Sequence, residues 1–289
     1  MQEWRRLLAA GLLMVNRLVS SGWLSRRTRN ASALVFAPHP DDEVLGCGGT
    51  IVLKTQAGAR VRVVVMTDGR ASHRALIAVD ELVRIRRAEA EEAALQLGLA
   101  VADYVFLDFE DHQLHHHRDA ACERVVEIID QFKPDEIYLP HRYDCITDHV
   151  ETNRIVRQSV DRVRRPVALL EYPVWLWNGW PWTPGDARYA PGIVRRVLGT
   201  TRDVVEMVLA CRARVDVGSV QHRKLAALAT YRSQLQRLNG DPRWPVLSDV
   251  AAGEFLGRFN TGIEIFRRTN YRPCPSDSDC RIEHQAKIA

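Results

Sequence analysis

The residues best suited to chemistry lie in one short stretch, VFAPHPDDEVLGCGGT, at positions 35–50. His39 is followed there by three consecutive carboxylates, Asp41, Asp42 and Glu43. Neighbouring negative charges repel one another, and a divalent cation relieves that repulsion. His39 and Asp42 stand three residues apart, a separation at which an imidazole nitrogen and a carboxylate oxygen can face one centre. The stretch therefore indicates one part of a metal site.

A second group of metal-binding side chains occurs in HRYDCITDHVETNR, at positions 141–154. Its candidates for a third ligand are His141, Asp144, Asp148 and His149. We choose His149, because two histidines and one carboxylate with an open position form a common catalytic zinc site, whereas closed structural sites mostly use cysteines. Asp41 would then be free to act as a general base on a water molecule.

Alternating strand and helix patterns must position these side chains. Five apolar runs, ALVFA, RVRVVVMTDG, YVFLDF, EIYLP and VALLEYPVW, predict strands. The clearest helix is predicted over 79–97 with Gly98 as its C-terminal cap, and two others over 122–132 and 151–163. This order predicts an α/β, Rossmann-like three-layer sandwich with a mainly parallel sheet. In such sheets, sites form beyond the carboxyl ends of strands, where HPDDE stands.

The glycines of GCGGT, at 46–50, do not form a dinucleotide-binding turn. That fingerprint follows its strand directly, whereas eight residues separate Ala37 from Gly46 here. We expect these glycines to let the following helix pack closely on the sheet.

Composition limits the class of protein and its partners. The 289 residues are 46% hydrophobic and 26% charged, as in a globular protein. The net charge of +4 comes from 40 basic and 36 acidic residues without a basic block, so we expect no nucleic-acid partner. Six irregularly spaced cysteines do not form a disulfide scaffold, which favours a reducing, cytoplasmic location.

The ends of the chain differ in character from the middle. We predict an amphipathic helical extension over 1–30, a single domain over 31–270 and a polar tail over 271–289. The apolar run at 7–15 is shorter than the roughly 20 residues that cross a bilayer. Two interpretations of the extension stay open: peripheral contact with an anionic membrane, and packing on the domain.

Two loops carry clustered side chains. DHQLHHHRD, beginning at Asp111, is interpreted as solvated surface or as a rim that offers one histidine to a substrate. EYPVWLWNGWPWTPG, at 171–185, contains four tryptophans, which indicates an aromatic platform or a loop anchored by buried rings.

APHPDDEVLGCGGT and the later TDH resemble the PIG-L / LmbE-like family of zinc-dependent de-N-acetylases, whose hallmarks are A-H-P-D-D-E after a strand and a later H-P-D-H. The similarity extends over about 32–266 and includes MTDGR, RRAEAEEAALQLGL, LDFEDHQL and KLAALATYRSQ. It implies the same Rossmann-like fold and one Zn²⁺ per chain, although two histidines and a carboxylate also suit other divalent cations. The implied reaction is removal of the N-acetyl group from an amino sugar, usually an N-acetylglucosamine conjugate with a small-molecule or lipid aglycone.

The resemblance also implies roles for single residues. It places the zinc ligands at His39, Asp42 and His149, the general base at Asp41, and a carboxylate that orients the site at Asp148. It places sugar-binding groups at Arg86, for which Arg84 and Arg87 compete, and at Asp111, for which Asp108 and Glu110 compete.

One position departs from the family pattern. The first histidine of H-P-D-H is Ile146 here, and isoleucine cannot donate a hydrogen bond to a developing oxyanion. Losing such a donor costs about a hundredfold or more in rate. His141, Tyr143 or a histidine from elsewhere would have to replace it. The alternatives are a catalytically impaired sugar- or metal-binding protein of the same fold, and a metal-dependent amidase or esterase acting on another small substrate.

Overall fold

One eight-stranded sheet forms the centre of the computed structural model, which describes residues 2–22, 29–184 and 200–273. The strands are β1 Ser21–Gly22, β2 Ala33–Ala37, β3 Val61–Thr67, β4 Tyr104–Phe109, β5 Glu136–Pro140, β6 Val167–Tyr172, β7 Ala213–Asp216 and β8 Ile263–Tyr271. Their order is β1-β7-β8-β6-β5-β2-β3-β4. β8 is antiparallel to β6 and β7, and the other neighbouring pairs are parallel. The mainly parallel sheet and all five predicted strands are confirmed.

The principal helices follow the predicted alternation. They are α1 Gln2–Val19, α2 Asp42–Gln56, α3 Val79–Leu97, α4 Arg118–Phe132, α5 Thr147–Val163 and α6 Gln221–Ala229. α3 has the predicted bounds, and Gly98 ends it in the left-handed region at φ 81°. α4 and α5 begin four residues earlier than predicted, at Arg118 and Thr147, because each opens with polar residues that do not mark the start of an apolar period.

Two hydrophobic layers cover the sheet, one on each face. Along β2, Ala33 and Val35 pack with α2 and α3, whereas Leu34 and Phe36 pack with α4 and α5. Successive side chains of a strand point to opposite faces, so an unbroken apolar strand requires cover on both sides. The three-layer sandwich is confirmed.

The strand order reverses between β2 and β5. From β2 the chain moves outward through β3 to β4, and then returns across the sheet to β5 on the other side of β2. A crevice forms at such a switch point, beyond the carboxyl ends of the two strands. His39 follows β2 and His149 follows β5, so the topology brings the two sequence motifs together.

Helix α1 packs on the rest of the molecule through a narrow, partly polar face. Arg5, Ala9 and Asn16 are its buried residues, and β1 adds to the sheet edge beside β7. Among the helices of the described residues, none is long and apolar enough to cross a membrane.

The C-terminal boundary of the domain differs slightly from the prediction. Tyr271 is the last residue of β8, where it pairs with Val167, and is not the first residue of a tail. Cys274 and Cys280 of the predicted tail lie outside the described residues.

Candidate metal centre

The turn after β2 has an unusual backbone at Asp41. This residue lies at φ 122°, ψ −28°, and its carbonyl accepts hydrogen bonds from Val44 N and Leu45 N at 3.0 Å as α2 begins. Residues other than glycine rarely adopt a positive φ, and those that do are concentrated at functional sites. The turn directs three neighbouring polar side chains, those of His39, Asp41 and Asp42, into the crevice at the switch point.

Three potential ligand atoms converge there. Asp42 Oδ2 lies 3.1 Å from His39 Nδ1 and 3.1 Å from His149 Nε2. The three side chains form a group whose ligand atoms all lie within 4.8 Å of one another. The structure thus brings together the residues predicted as ligands from two motifs more than one hundred positions apart.

The opposite nitrogen of each histidine contacts a carboxylate. His149 Nδ1 lies 3.0 Å from Asp144 Oδ2. His39 Nε2 lies 3.1 Å from Asp111 Oδ1 and 3.5 Å from Asp148 Oδ2. A carboxylate on the outer nitrogen fixes the tautomer and orientation of a metal-binding histidine. Asp148 therefore contacts one predicted ligand, His39, whereas Asp144 contacts the other histidine, His149.

Asp144 is held rigidly. Its carboxylate accepts hydrogen bonds from Leu176 N at 2.9 Å and Val174 N at 3.2 Å, in the segment after β6. Sequence spacing did not single out Asp144, because the contact depends on how the loop before α5 folds back on the helix. An available signal was the position of Asp144 five residues before His149 in a loop that leaves a strand end.

Arg86 lies beneath the turn. Its guanidinium donates to Pro40 O at 2.6 Å and to Gly69 O at 3.2 Å, and its Nη2 lies 3.4 Å from Asp41 Oδ2. Gly69 has φ 68°, and a Cβ there would come within 2.5 Å of the guanidinium. MTDGR thus supplies the glycine that lets Arg86 approach Asp41.

Glu43 anchors the same turn from the other side. Its Oε1 accepts hydrogen bonds from the hydroxyls of Tyr231 and Tyr104, and its Oε2 accepts from Asp41 N at 3.1 Å. The side chain is completely buried, and burial raises the pKa of Glu43 to about 7 although the Tyr231 hydroxyl opposes the shift. Glu43 therefore stabilises the strained conformation of Asp41 and does not face the crevice.

The cluster attracts positive charge. Burial raises the pKa of Asp41 to about 8, although the Arg86 guanidinium opposes the shift. Burial acts in the same direction on Asp42, but the His149 and His39 imidazoles outweigh it and hold the pKa of Asp42 below its usual range. Burial lowers the pKa of His149, yet the carboxylates of Asp42 and Asp144 outweigh this and raise it to about 9. Protons on the imidazoles, or a cation in their place, balance the buried carboxylates.

The donor set fits a divalent cation. His149 Nε2 is buried and has no hydrogen-bond partner among the described residues, although it faces Asp42 Oδ2. Two imidazole nitrogens and one carboxylate oxygen match three-ligand catalytic zinc sites, in which a fourth position stays open. A second group that could hold a metal consists of His39, Asp111 and Asp148. It uses the other nitrogen of His39, Nε2, and its two carboxylates are better suited to orienting the His39 ring than to binding a cation.

The residues predicted to bind sugar are mostly buried. Arg86 is 3% exposed and contacts the turn after β2, and Asp111 is 5% exposed and contacts His39. Neither presents a free face to a sugar, because both satisfy charges inside the protein. Their contacts therefore do not by themselves support the expected role in holding sugar hydroxyls, which stays a prediction.

His141 and Tyr143 lie on another side of the loop. His141 is fully buried, with its Nε2 3.5 Å from Glu206 Oε2 and its Nδ1 accepting from Tyr143 N at 3.2 Å. The contact between His141 Nε2 and the Glu206 carboxylate helps to hold the pKa of Glu206 down to about 2. The half-buried Tyr143 ring lies between the guanidinium groups of Arg142 and Arg202, at 4.9 and 4.3 Å. The expected polarising role of His141 is therefore not supported by its contacts.

Ile146 stands just before the first turn of α5, where its backbone is extended and no side-chain hydrogen bond caps the helix. His112 occupies the neighbouring rim. Its backbone N donates to Asp148 Oδ2 at 2.6 Å, its φ is 67°, and its exposed Nε2 lies 3.8 Å from Asp111 Oδ1. His112 is thus an exposed histidine whose imidazole lies beside the carboxylate that contacts His39.

Comparison with known proteins agrees with this geometry. A family model described as "PIG-L: GlcNAc-PI de-N-acetylase" matches residues 34–160, which contain both motifs. The "Probable N-acetyl-alpha-D-glucosaminyl L-malate deacetylase 2" of Bacillus cereus is 32% identical over 229 residues, covering 76% of this chain and 90% of that protein. The chain belongs to the PIG-L / LmbE-like family. It is therefore a hydrolase of a family of metal-dependent de-N-acetylases.

Other relatives match less of the chain or share only its fold. The diacetylchitobiose deacetylase of Thermococcus kodakarensis is 32% identical over 107 residues, which cover 37% of this chain and 39% of that protein. The N,N'-diacetylchitobiose deacetylase of Pyrococcus horikoshii has a structure similar over 90% of this chain and 92% of its own, with a TM-score of 0.58 and 21% identity. The 4-carboxy-2-hydroxymuconate hydratase of Pseudomonas putida is similar over 86% of this chain and 98% of its own, with a TM-score of 0.53 and 17% identity. The fold alone therefore does not determine the reaction.

The glycines of this PIG-L / LmbE-like chain have the packing role predicted for them. A Cβ on Gly46 would come within 2.2 Å of the Tyr172 ring, and one on Gly49 within 2.6 Å of Val217. α2 is also interrupted at Cys47, and the Glu264 carboxylate accepts a hydrogen bond from the backbone N of Gly49 after the break. Close packing here keeps the start of α2, and with it Asp42, against the sheet.

Proposed function

We propose that the protein is a zinc-dependent de-N-acetylase that releases acetate from an N-acetylglucosamine conjugate. The observation that carries the proposal is the convergence of His39 Nδ1 and His149 Nε2 on Asp42 Oδ2, at 3.1 Å each. His39, Asp42 and His149 would hold the cation. A cation bound there would lower the pKa of a water molecule and polarise the carbonyl of the acetamide.

Side chains around the proposed metal site have the remaining roles in the reaction. Asp41 takes a proton from the attacking water and returns it to the leaving amine. Arg86 and Glu43 hold Asp41 in position from two sides, through its carboxylate and its backbone N. Asp144 and Asp148 orient His149 and His39 so that one nitrogen of each ring faces Asp42.

His112 is our proposal for the group that replaces the family histidine at position 146. The exposed imidazole lies beside Asp111, and a neighbouring buried carboxylate, Asp148, fixes its backbone. An imidazole N–H at the rim can donate to the oxygen of the acetamide as charge develops on it. Tyr143, half-buried in the loop after β5, is a proposed sugar contact.

A panel of conjugates tests the reaction. The purified protein should release acetate from at least one of N,N'-diacetylchitobiose, N-acetylglucosaminyl malate, N-acetylglucosaminyl inositol and a lipid-linked N-acetylglucosamine. Asp41→Asn should keep the metal and lose about a hundredfold to ten-thousandfold in kcat. Asp108→Asn, which removes an exposed carboxylate paired with Arg87, is the matched control and should keep full activity.

Ile146 supports a second candidate, a metal-binding protein of this fold that does not turn over acetamides. Stoichiometric metal without acetate release from any member of the panel would favour that candidate, or a hydrolase of another amide or ester. Equal acetate release by Asp41→Asn and the wild type would remove Asp41 from the mechanism.

A further inference from the structure

Helix α1 has an apolar face that points away from the protein. Of the twelve large apolar side chains that the structure describes as exposed, seven belong to this helix. They are Trp4, Leu7, Leu8, Met14, Val15, Leu18 and Val19. Leu7 and Leu18 are 73% and 75% exposed, whereas a helix that packs on a globular domain ordinarily turns its apolar face inward.

The inward face of α1 is held largely by polar contacts. Arg5 donates to the carbonyls of Pro181 and Trp182 at 3.0 and 3.2 Å. Asn16 Nδ2 lies within 3.1 Å of the carbonyls of Met207, Val208 and Cys211. These bonds fix the rotation of the helix about its axis. The outward apolar face is therefore built into the fold and does not arise from a loosely placed helix.

Basic residues border this face. Arg6 is 60% exposed and shares the carboxylate of Glu254 with Arg5, so the three groups carry a net positive charge. Arg17 is exposed in the last turn, while Glu3 is the acidic residue of the first turn. A continuous apolar face beside arginines, with a tryptophan at one end, is typical of helices that lie in the interface of an anionic bilayer.

A cavity beneath the helix also favours lipid. It has a volume of about 640 Å³ and is lined by apolar side chains that include Leu13, Trp177 and Ile265. Arg6, Met14 and Arg17 line it as well and are exposed, so the cavity reaches the surface along the basic edge of α1. A volume of this size with basic groups at its margin suits an acyl chain with an anionic headgroup.

We propose that the outward face of α1 binds the surface of an anionic phospholipid bilayer. The proposal goes beyond the proposed reaction and does not depend on it. Trp4 and Trp180 lie 6.1 Å apart, and Trp180 belongs to the segment whose backbone also holds Asp144. Membrane binding would therefore place the lipid surface beside the loop that supports the metal centre.

Vesicle cosedimentation of the full chain tests the proposal. Vesicles of phosphatidylcholine alone are compared with an equimolar mixture of phosphatidylcholine and phosphatidylglycerol, with and without added salt. The variant carries Leu7→Glu and Leu18→Glu. The matched control carries Leu95→Glu and Val101→Glu, which change two exposed apolar residues outside α1. An unchanged melting temperature establishes that each variant is folded.

We expect the wild type and the control to bind the anionic vesicles, less strongly at high salt, and the α1 variant to partition about tenfold less. Wild-type protein that stays in the supernatant with both vesicle types would overturn the proposal. So would equal binding by the α1 variant. A wild-type dimer that the α1 variant dissociates would also overturn it, because the face would then belong to a second copy of the chain.

Discussion

At the scale of single residues, the proposed metal site depends on the carboxylates that contact the outer nitrogens of its histidines. Asp144 contacts His149 Nδ1 at 3.0 Å and is itself fixed by two backbone N–H groups. Asp144→Asn keeps the shape but removes the charge that favours the correct tautomer. We expect metal affinity, measured by chelator competition, to fall about tenfold to a hundredfold. Affinity equal to that of Asp108→Asn would show that Asp144 is not an orienting group.

Substitution of His112 tests whether this residue supplies the hydrogen-bond donor that Ile146 lacks. If its imidazole donates to the developing oxyanion, His112→Ala should lower kcat about a hundredfold and leave metal content unchanged. His115→Ala is the matched control, because His115 is an exposed histidine of the same loop. His141→Ala should instead lower stability, since it removes the buried partner of Glu206. Equal rates for His112→Ala and His115→Ala would exclude His112 from the reaction.

At the scale of elements, α2 must lie close to the sheet for the motif to form. Gly46→Ala would drive a methyl group into the Tyr172 ring, at 2.2 Å, and should lower the free energy of unfolding by about 1–3 kcal/mol. Gly11→Ala, on exposed α1 with nothing within 4 Å of its Cβ, should raise it by about 0.5–1 kcal/mol. Urea denaturation measures both. A neutral Gly46→Ala would show that α2 can move away without cost.

The elements also show what the sequence could predict. β2, β4 and β5 have the predicted bounds: β2 and β5 are buried parallel strands, which are mostly apolar in sequence, and β4 is a mostly apolar edge strand. β7 and β8 were missed, since ARVD is short and IEIFRRTNY carries charges and pairs antiparallel to its neighbours. The grouping of His39, Asp42 and His149 was predictable from residue type and strand ends. The contacts of Asp144, Arg86 and Asp111 were not, because they depend on how separate loops fold against each other.

At the scale of the whole molecule, the reversal of strand order between β2 and β5 assembles the candidate centre. Residues that follow the strands on the two sides of the reversal form the group of His39, Asp42 and His149. The central claim is that this group holds a cation required for acetate release.

Metal reconstitution tests that claim most directly. The protein is stripped with a chelator, titrated with zinc, and assayed for acetate release from the best N-acetylglucosamine conjugate of the panel. We predict no activity without metal, recovery that saturates near one zinc per chain, and no recovery for His149→Ala at the same zinc concentrations. Full acetate release by the stripped protein, or equal zinc-dependent recovery by His149→Ala, would contradict the account.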